Sequence, residues 1–269
     1  MIPKIIHYCW LSDDPMSQES IEYINSWRKL LPDYEFILWN REKFDVNSVL
    51  WVKEAFFQKK YAFAADYIRL YAVYHYGGFY LDTDVEIKKS FDDLLERDLV
   101  IGYEDKHNKG IEAGCFGAEK GHAFIEKSLS HYNGRRFVKA DGTLDAWTLP
   151  KIMAEFVSKN LKKNVFSCDF FTAKDPETGT IEITQNTYAI HHFAGSWLTA
   201  FEKEIIRMTS CVKNNLGDNF LSKSVILFGI IFLRIKFYGM KRTGRYLIDT
   251  YVHNRKESLS SIKSFFALS

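Results

Sequence analysis

One stretch, Tyr61–Glu86, constrains this chain more than any other part of it. The only charged residues in the first half of the stretch are Asp66 and Arg69, within an otherwise apolar run. Because these two residues are three positions apart, a helix places them on one face. The run ends at Gly77-Gly78, where glycine permits the backbone turn that ends a helix. The pattern predicts a buried helix with one charged pair.

A short apolar strand, Phe79–Leu81, is predicted next, and Asp82 and Asp84 follow directly after its end. Two carboxylates at positions i and i+2 after a buried strand form a hard-oxygen site suited to Mg²⁺ or Mn²⁺. Such ions usually complete their coordination with phosphate oxygens and water. The pattern therefore indicates a nucleotide-diphosphate site, and the alternative is a polar loop that caps the next element.

The rest of the first two hundred residues alternates between strands and helices. The pattern predicts strands at Lys4–Trp10, Tyr34–Trp39, Leu99–Tyr103, Ala113–Ala118, Val165–Cys168 and Tyr188–His192, and helices at Ser17–Leu30, Ser48–Phe57, Ala123–Tyr132 and Leu144–Ser158. This alternation predicts an α/β fold with a mostly parallel sheet covered on both faces. Ligands of such sheets bind beyond the carboxyl ends of the strands, where Asp82 and Asp84 fall.

From Trp197 onward the pattern becomes helical, with helices predicted at Phe201–Val212, Phe220–Phe237 and Gly244–Tyr251. We expect a catalytic domain over residues 1–215 and a basic helical extension over residues 216–269. Residues 223–269 contain nine Lys and Arg against two acidic residues, although the whole chain has a net charge of only +2. A mildly acidic body with a basic tail is not the usual pattern of a nucleic-acid-binding protein, so no nucleic-acid partner is expected.

The four cysteines, Cys9, Cys115, Cys168 and Cys211, are widely spaced and include no C-x-x-C pair. They are predicted to be buried free thiols, in keeping with a reducing cytoplasm. No signal peptide is expected, because a strand begins almost at once. The longest apolar run, nine residues from Val225, is shorter than the roughly twenty residues that a membrane-spanning helix needs.

Three blocks of the chain together resemble glycosyltransferase family 32. They are Asp-x-x-Arg followed by Gly-Gly-x-Tyr-x-Asp-x-Asp at positions 66–84, the opening Ile2–Trp10, and the closing block His191–Trp197. The family groups polysaccharide mannosyl-, galactosyl- and N-acetylhexosaminyltransferases and is related to the large glucosylating toxins. The resemblance implies an A-type glycosyltransferase fold, which is a Rossmann-like nucleotide-diphospho-sugar transferase fold, here with a helical C-terminal extension.

The resemblance also implies roles for individual residues. Asp84 would bind Mn²⁺ (or Mg²⁺) directly, Asp82 would contact the ribose and the metal's shell, and His191 would be a third ligand. Arg69, Asp82 and Asp84 are the residues expected to be catalytic. The donor would be bound by Trp10, Asp66, Arg69, Tyr80, Asp82, Ser196 and Trp197.

Several of these residues have structural alternatives. Asp66 and Arg69 could form a structural ion pair as well as hold the donor sugar. Trp10 could belong to the core rather than stack on a nucleobase. His191 and His192 point to opposite faces of a strand, so only one can reach the site.

Acceptor-binding residues are less well indicated. Glu112, His122, Asp141 and Asp145 follow the metal motif in predicted loops. Of these, we select His122 and Asp145, the latter because it heads the predicted helix Leu144–Ser158.

The function expected from these features is metal-dependent, retaining transfer of a hexosyl or N-acetylhexosaminyl unit. The donor would be a nucleotide sugar, expected to be a UDP-sugar, and the acceptor a glycan or lipid-linked oligosaccharide in polysaccharide or capsule biosynthesis. The alternatives are a nucleotide-sugar-binding module or a donor hydrolase without transfer. A metal phosphohydrolase is disfavoured, because the chain lacks His-rich metal spacing.

The apolar segment Phe220–Tyr238 permits two interpretations. It carries Lys223, Arg234 and Lys236 near its ends. It could pack on the catalytic domain, or it could lie as an interfacial helix on an anionic inner leaflet. The second interpretation would make the protein peripheral on the inner face of the membrane.

Overall fold

The computed structural model describes residues 1–176, 178–195, 200–217, 219–240 and 242–243. The predicted helix Gly244–Tyr251 lies outside these residues. The chain divides into two compact units: Met1–Pro176 with Thr180–Ala194 form the first, and Glu177–Gly179 with Gly195–Ser269 form the second. The domain boundary predicted after residue 215 falls inside the second unit.

The first unit contains seven strands and five α-helices among its described residues. In chain order they are β1 (Ile5–Cys9), α1 (Gln18–Leu30), β2 (Glu35–Trp39), α2 (Leu50–Phe57), α3 (Tyr61–Tyr76), β3 (Gly78–Leu81), β4 (Val85–Ile87), β5 (Leu99–Val100), β6 (Cys115–Ala118), α4 (Ala123–Ser130), α5 (Leu149–Glu155) and β7 (Ala189–His191). The predicted α/β class is confirmed.

The main sheet has five strands in the order β2-β1-β3-β6-β5. β1 is parallel to β2 and β3, whereas β6 is antiparallel to β3 and β5. The expectation of a mostly parallel sheet is therefore wrong, and the sheet is mixed. The reason lies in the connections: a parallel neighbour needs a crossover, usually a helix, and no α-helix lies between β3 and β6.

A second, two-stranded sheet pairs β4 with β7, with Val85 opposite His191. β7 lies within the predicted strand Tyr188–His192, whereas β4 was not predicted. Because β4 begins one residue after Asp84, this pairing brings the distant histidine block to the predicted metal motif.

The turn from α3 into β3 requires two glycines. Gly77 has φ +70° and Gly78 has φ +101°, both in the region that favours glycine. A Cβ on Gly78 would lie 2.6 Å from the backbone oxygen of Ile5 on the neighbouring strand. The helix therefore ends abruptly, and β3 enters the centre of the sheet beside β1.

Two other predicted elements are wrong. Val165–Cys168 forms no strand: Phe166 makes an isolated bridge to Gly102, and a short 3₁₀ helix occupies Cys168–Phe170. The helix predicted from Leu144 begins at Leu149, directly before Pro150. Proline lacks the N–H that a helix interior needs and is tolerated only in the first turn, so the helix cannot begin five residues earlier.

The core lies on both faces of the main sheet. One face packs α2, α3 and α4 around Trp39 and Trp51, and the other packs α1 around Trp27, Phe79 and Phe91. Cys9 and Cys115 are buried free thiols as predicted, whereas Cys168 is half-buried and Cys211 is exposed.

The second unit contains two described helices, α6 (Ala200–Leu216) and α7 (Phe220–Tyr238), which pack against each other. Gly229 of α7 lies directly against the Met208 side chain of α6, and a Cβ there would overlap the sulfur. A capping box between Asn219 and Ser222 begins α7. Within the described residues, no helix is long and apolar enough to cross a membrane.

His7 joins three elements at the centre of the first unit. The Trp39 Nε1–H donates to His7 Nδ1 over 3.1 Å, and His7 Nε2 lies 2.8 Å from the carbonyl oxygen of Gly77. Since Nδ1 accepts a hydrogen bond, the ring is the neutral tautomer that donates from Nε2. Burial lowers the pKa of His7 from 6.5 to about 4. His7 is therefore a packing residue of β1.

This pKa shift predicts how the stability contribution of His7 depends on pH. Between pH 6.5 and about 4 the unfolded chain binds a proton at His7 that the folded chain does not, so stability falls as pH falls. We expect the free energy of unfolding of the wild type to exceed that of His7→Asn at pH 7. The difference between these two free energies of unfolding should be smaller by about 2–3 kcal/mol at pH 4.5 than at pH 7. Urea unfolding at both pH values measures it, and a difference independent of pH would contradict the assignment.

Candidate active site

Asp82 and Asp84 follow the carboxyl end of β3, as predicted. The Asp82 N–H donates to the backbone oxygen of Gly114 over 2.7 Å, which extends the pairing of β3 past its last residue. The Val85 N–H then donates to the Asp82 backbone oxygen over 3.0 Å and closes a turn around Thr83. The turn holds the two carboxylates at the edge of the sheet, before the chain enters β4.

The structure brings the three predicted metal ligands together. One ligand atom each of Asp82, Asp84 and His191 lies within 4.8 Å of the other two. Asp84 Oδ1 is 3.5 Å from His191 Nε2. Two carboxylates and one imidazole within this range suit a divalent cation. The residues present therefore fit the metal that the motif implies.

His191, not His192, faces this cluster. His192 Nε2 lies 3.0 Å from Glu86 Oε2, and its ring stacks on Tyr23 with centroids 5.0 Å apart. The two histidines thus point to opposite sides of β7, and the ambiguity left by the sequence is resolved in favour of His191.

Glu112 contacts the ring nitrogen of His191 that does not face Asp84. This role of Glu112 was not predicted from the sequence. Glu112 is 1% exposed, and its Oε1 lies 2.9 Å from His191 Nδ1. The same oxygen accepts the Gly114 N–H over 2.5 Å, and Oε2 accepts the Thr172 hydroxyl over 2.9 Å. A buried carboxylate on the second nitrogen of a metal-binding histidine fixes the ring orientation and raises its basicity. From the sequence, Glu112 was expected only as one of several residues that could contact an acceptor.

The charges around His191 explain its protonation. Burial lowers the pKa of His191, but the carboxylates of Glu112 and Asp84 outweigh burial and hold this pKa well above its usual range. Burial raises the pKa of Asp84, yet His191 and the Ala194 N–H hold it well below its usual range. Without a cation, a protonated His191 therefore bridges the two carboxylates. A cation at Nε2 would replace that proton, so its binding would release a proton.

Gly114 is required for this arrangement because the backbone and His191 approach closely. A Cβ on Gly114 would lie 2.7 Å from His191 Cε1 and 2.9 Å from Glu112 Oε1. The residue after β7 is strained as well: Phe193 has φ +51°, and its ring stacks on His191 with centroids 4.1 Å apart. A bulky residue in this region of φ is uncommon and is often found at functional sites.

Arg69 is a buried cation that ties the site to α3. It is 5% exposed, its Nη1 donates to Asp82 Oδ2 over 3.0 Å, and its Nη2 lies 3.4 Å from Asp66 Oδ1. Nη1 also donates to the Ala113 carbonyl over 2.8 Å, and the guanidinium lies 4.7 Å from the centre of the Tyr80 ring. The structural ion pair with Asp66 is therefore present.

The two aspartates of the Asp-x-Asp motif differ in the protein groups that contact their carboxylate oxygens. The Tyr80 hydroxyl donates to Asp82 Oδ1 over 2.8 Å, and Arg69 occupies Oδ2. Asp84 Oδ2 accepts the Ala194 N–H over 2.7 Å, while Oδ1 faces His191. This contrast agrees with the expectation that Asp84 is the more direct ligand. The roles of both residues stay predictions.

One polar atom of this site has no protein partner. Arg69 Nε is buried and makes no hydrogen bond among the residues that the structure describes. A buried unpaired donor is costly unless a ligand or water satisfies it. The Nη atoms of the same guanidinium face Asp66 and Asp82.

Trp10 follows β1, which runs parallel to β3 with His7 opposite Tyr80. The indole therefore lies at the same carboxyl edge as Asp82. It is half-buried, and its Nε1–H donates to the Asp14 carbonyl over 2.8 Å. Stacking on a nucleobase stays a prediction, and Ser196 and Trp197 lie outside the described residues.

The two residues selected for the acceptor have structural contacts instead. His122 follows β6, which ends beside Gly78 at the opposite edge of the sheet from Asp82, and its Nδ1 caps α4 by accepting the Phe124 N–H. Asp145 does not head a helix, because α5 begins at Leu149. It is buried and accepts from Arg135 Nε over 3.0 Å. Neither placement supports an acceptor role.

The matched family agrees with this geometry. Residues 17–101 match the family described as glycosyltransferase sugar-binding region containing DXD motif. This stretch includes the Asp66–Arg69 pair and both aspartates of the motif, Asp82 and Asp84. Residues 17–101 match this family, and the predicted resemblance to glycosyltransferases with an Asp-x-Asp motif is confirmed.

Curated relatives and one solved structure are similar to the chain. It is 32% identical over 148 residues to inositol phosphoceramide mannosyltransferase 1 of Schizosaccharomyces pombe, covering 51% of this chain and 46% of that protein. It is 24% identical over 249 residues to mannosyl phosphorylinositol ceramide synthase SUR1 of Saccharomyces cerevisiae, covering 88% and 62%. The chain thus spans less than two thirds of either relative. The solved structure of PaToxG glycosyltransferase matches with a TM-score of 0.47 and 19% identity, over 60% of this chain and 70% of that one.

The contact between Glu112 and His191 can be tested by metal binding. Glu112→Gln keeps the size of the side chain but removes the charge that orients and polarises His191. We expect the affinity for Mn²⁺ to fall by about 10–100-fold, as measured by calorimetry or Mn²⁺ electron paramagnetic resonance. The exposed Glu42→Gln provides a matched control with unchanged affinity. Unchanged affinity in Glu112→Gln itself would show that Glu112 only packs against the ring.

Proposed function

We propose that the chain is a metal-dependent glycosyltransferase that moves a hexosyl or N-acetylhexosaminyl unit from a nucleotide sugar to a hydroxyl acceptor. The observation that carries the proposal is the Asp82–Asp84–His191 cluster at the carboxyl end of β3. Both aspartates lie within the stretch that matches the DXD sugar-binding family. Clefts beyond the carboxyl ends of strands are where open α/β sheets bind ligands.

The three residues of the cluster would make unequal contributions to binding a cation. Asp84 and His191 would be its main protein ligands, and Asp82, steadied by Arg69 and Tyr80, would complete the set. When bound, Mn²⁺ or Mg²⁺ supplies Lewis-acid stabilisation of the negative charge on a departing diphosphate. Glu112 keeps the Nε2 atom of His191 aimed at the same point.

Asp66 and Arg69 would bind the donor sugar from α3. The Asp66 carboxyl accepts the Leu149 N–H as well as Arg69, and burial raises its pKa to about 6. At neutral pH Asp66 is therefore mostly an acceptor of hydrogen bonds, while the Arg69 guanidinium beside it is a donor. An acceptor and a donor side by side suit the hydroxyl groups of a sugar.

We propose transfer with retention of anomeric configuration. The four carboxylates of Asp66, Asp82, Asp84 and Glu112 each have a partner that holds them: Arg69 for Asp66 and Asp82, and His191 for Asp84 and Glu112. None is left as a ready nucleophile for double displacement, so attack from the same face as the departing diphosphate is favoured. Proton NMR of the product formed in the first turnovers should show the anomeric configuration of the donor. An inverted product would contradict this route.

The donor and acceptor are proposed by class. The relatives carry mannosyl transfer and inositol phosphoceramide in their names, which favours a mannosyl donor among the hexosyl donors and a lipid-borne acceptor. A UDP-sugar donor and a glycan or lipid-linked oligosaccharide acceptor, in polysaccharide or capsule biosynthesis, remain part of the proposal. So does action in the cytoplasm at the inner face of the membrane.

The decisive variant is Asp84→Asn. The amide cannot supply a negative charge to the cation, so we expect nucleotide release from the preferred donor to fall by at least 100-fold, with the unfolding midpoint nearly unchanged. Release of nucleotide diphosphate is measured over a panel of UDP- and GDP-sugars with Mn²⁺. The exposed Asp33→Asn makes the same chemical change far from the motif and should retain full activity.

The same assay separates transfer from the alternatives. Release that rises when glycan or inositol-phospholipid acceptors are added supports transfer, and the acceptor that gives the rise identifies its class. Release that acceptors do not change indicates a donor hydrolase. Donor binding without release indicates a nucleotide-sugar-binding module, and full activity in Asp84→Asn would overturn the role of the cluster.

A further inference from the structure

Helix α7 presents a line of large apolar side chains to solvent. Leu221, Val225, Phe228, Phe232 and Ile235 are spaced alternately four and three residues apart and are all exposed, with Phe228 72% and Phe232 67% accessible. This spacing keeps the five side chains along one line of the helix. We refer to these five residues as the apolar stripe.

The apolar stripe is not the surface that α7 uses to pack on α6. Ile226 and Leu233 are buried, and Gly229 lies against Met208 of α6, so a different side of α7 faces its neighbour. Beside Phe232 a groove of about 310 Å³ opens between the two helices. Contiguous exposed apolar surface of this kind usually marks an interaction site.

The charge around the stripe indicates the kind of partner. From Asn219 to Ile248 the sequence contains no acidic residue and six basic ones, namely Lys223, Arg234, Lys236, Lys241, Arg242 and Arg245. A second copy of the chain paired through the stripe would place two such stretches together, and their like charges would repel. An anionic surface would attract the basic residues while offering an apolar layer to the stripe.

We propose that α7 lies on the surface of a membrane that contains anionic lipids. The apolar stripe enters the boundary between headgroups and acyl chains, and Lys236, with the basic residues that follow α7 in the sequence, contacts the lipid phosphates. Long Lys and Arg side chains can extend to the headgroups while their stems cover apolar surface. The association is peripheral and weakens with salt, because part of the affinity is electrostatic.

The test is co-sedimentation of the full chain with sucrose-loaded vesicles over a series of lipid concentrations. We expect binding to vesicles of equimolar phosphatidylcholine and phosphatidylglycerol, little binding to phosphatidylcholine alone, and loss of binding at high salt. Phe228→Gln with Phe232→Gln should lower the partition coefficient by about 100-fold. Lys236→Gln with Arg242→Gln should lower it by about 30-fold on anionic vesicles only.

The first unit offers a matched control, because Phe57 is 65% exposed on another helix. Phe57→Gln should leave vesicle binding unchanged. Absence of binding to anionic vesicles at low salt, or binding that the stripe variant does not reduce, would overturn the proposal. The proposal would also be overturned if sedimentation equilibrium without lipid showed a dimer that Phe228→Gln with Phe232→Gln dissociates. A second copy of the chain would then cover the stripe. The assay needs no donor, so its outcome is independent of the proposed transferase activity.

Discussion

The buried guanidinium of Arg69 is the interaction on which the first unit and its site depend together. A full charge this far from water is tolerated only with close partners, and Arg69 has the carboxylates of Asp66 and Asp82 and the carbonyl of Ala113. These partners belong to α3, to the end of β3 and to the segment leading into β6. One side chain thereby sets the position of the helix, the strand end and the aspartate that opens the Asp-x-Asp motif. Removing it would leave two buried carboxylates facing each other, a loss of about 3–5 kcal/mol by the usual scale of broken buried pairs.

The metal cluster depends in turn on a contact between residues far apart in the chain. His191 reaches Asp84 because β7 pairs with β4, and it keeps its orientation because Glu112 and Gly114 lie against its ring. The result is an imidazole between two carboxylates, which a proton or a divalent cation can bridge. Under the proposed function, a cation would compete with that proton for Nε2 of His191.

The parts of this structure that follow from local pattern were predictable from the sequence. The apolar run of α3, its end at Gly77-Gly78, and the strand before Asp82 depend on helix periodicity, glycine and a short apolar run. Glu112 was undervalued, because its importance arises from a contact with His191, 79 positions further along the chain, that no local pattern encodes. The antiparallel course of β6 could have been expected from the missing helix between β3 and β6. The late start of α5 had a local signal as well, in Pro150.

The order of the strands along the chain determines the order in which parts of the site emerge during synthesis. All five strands of the main sheet lie between Ile5 and Ala118, whereas the imidazole of the cluster arrives with β7, more than seventy residues later. Among the described strands β7 pairs only with β4, although Tyr188 and Ala189 pack into the core beside Phe79. During synthesis all five strands of the main sheet therefore leave the ribosome before the histidine that approaches their aspartates. Under the proposed function, binding of a cation would be a late step that waits for β7 and for the core residues beside it.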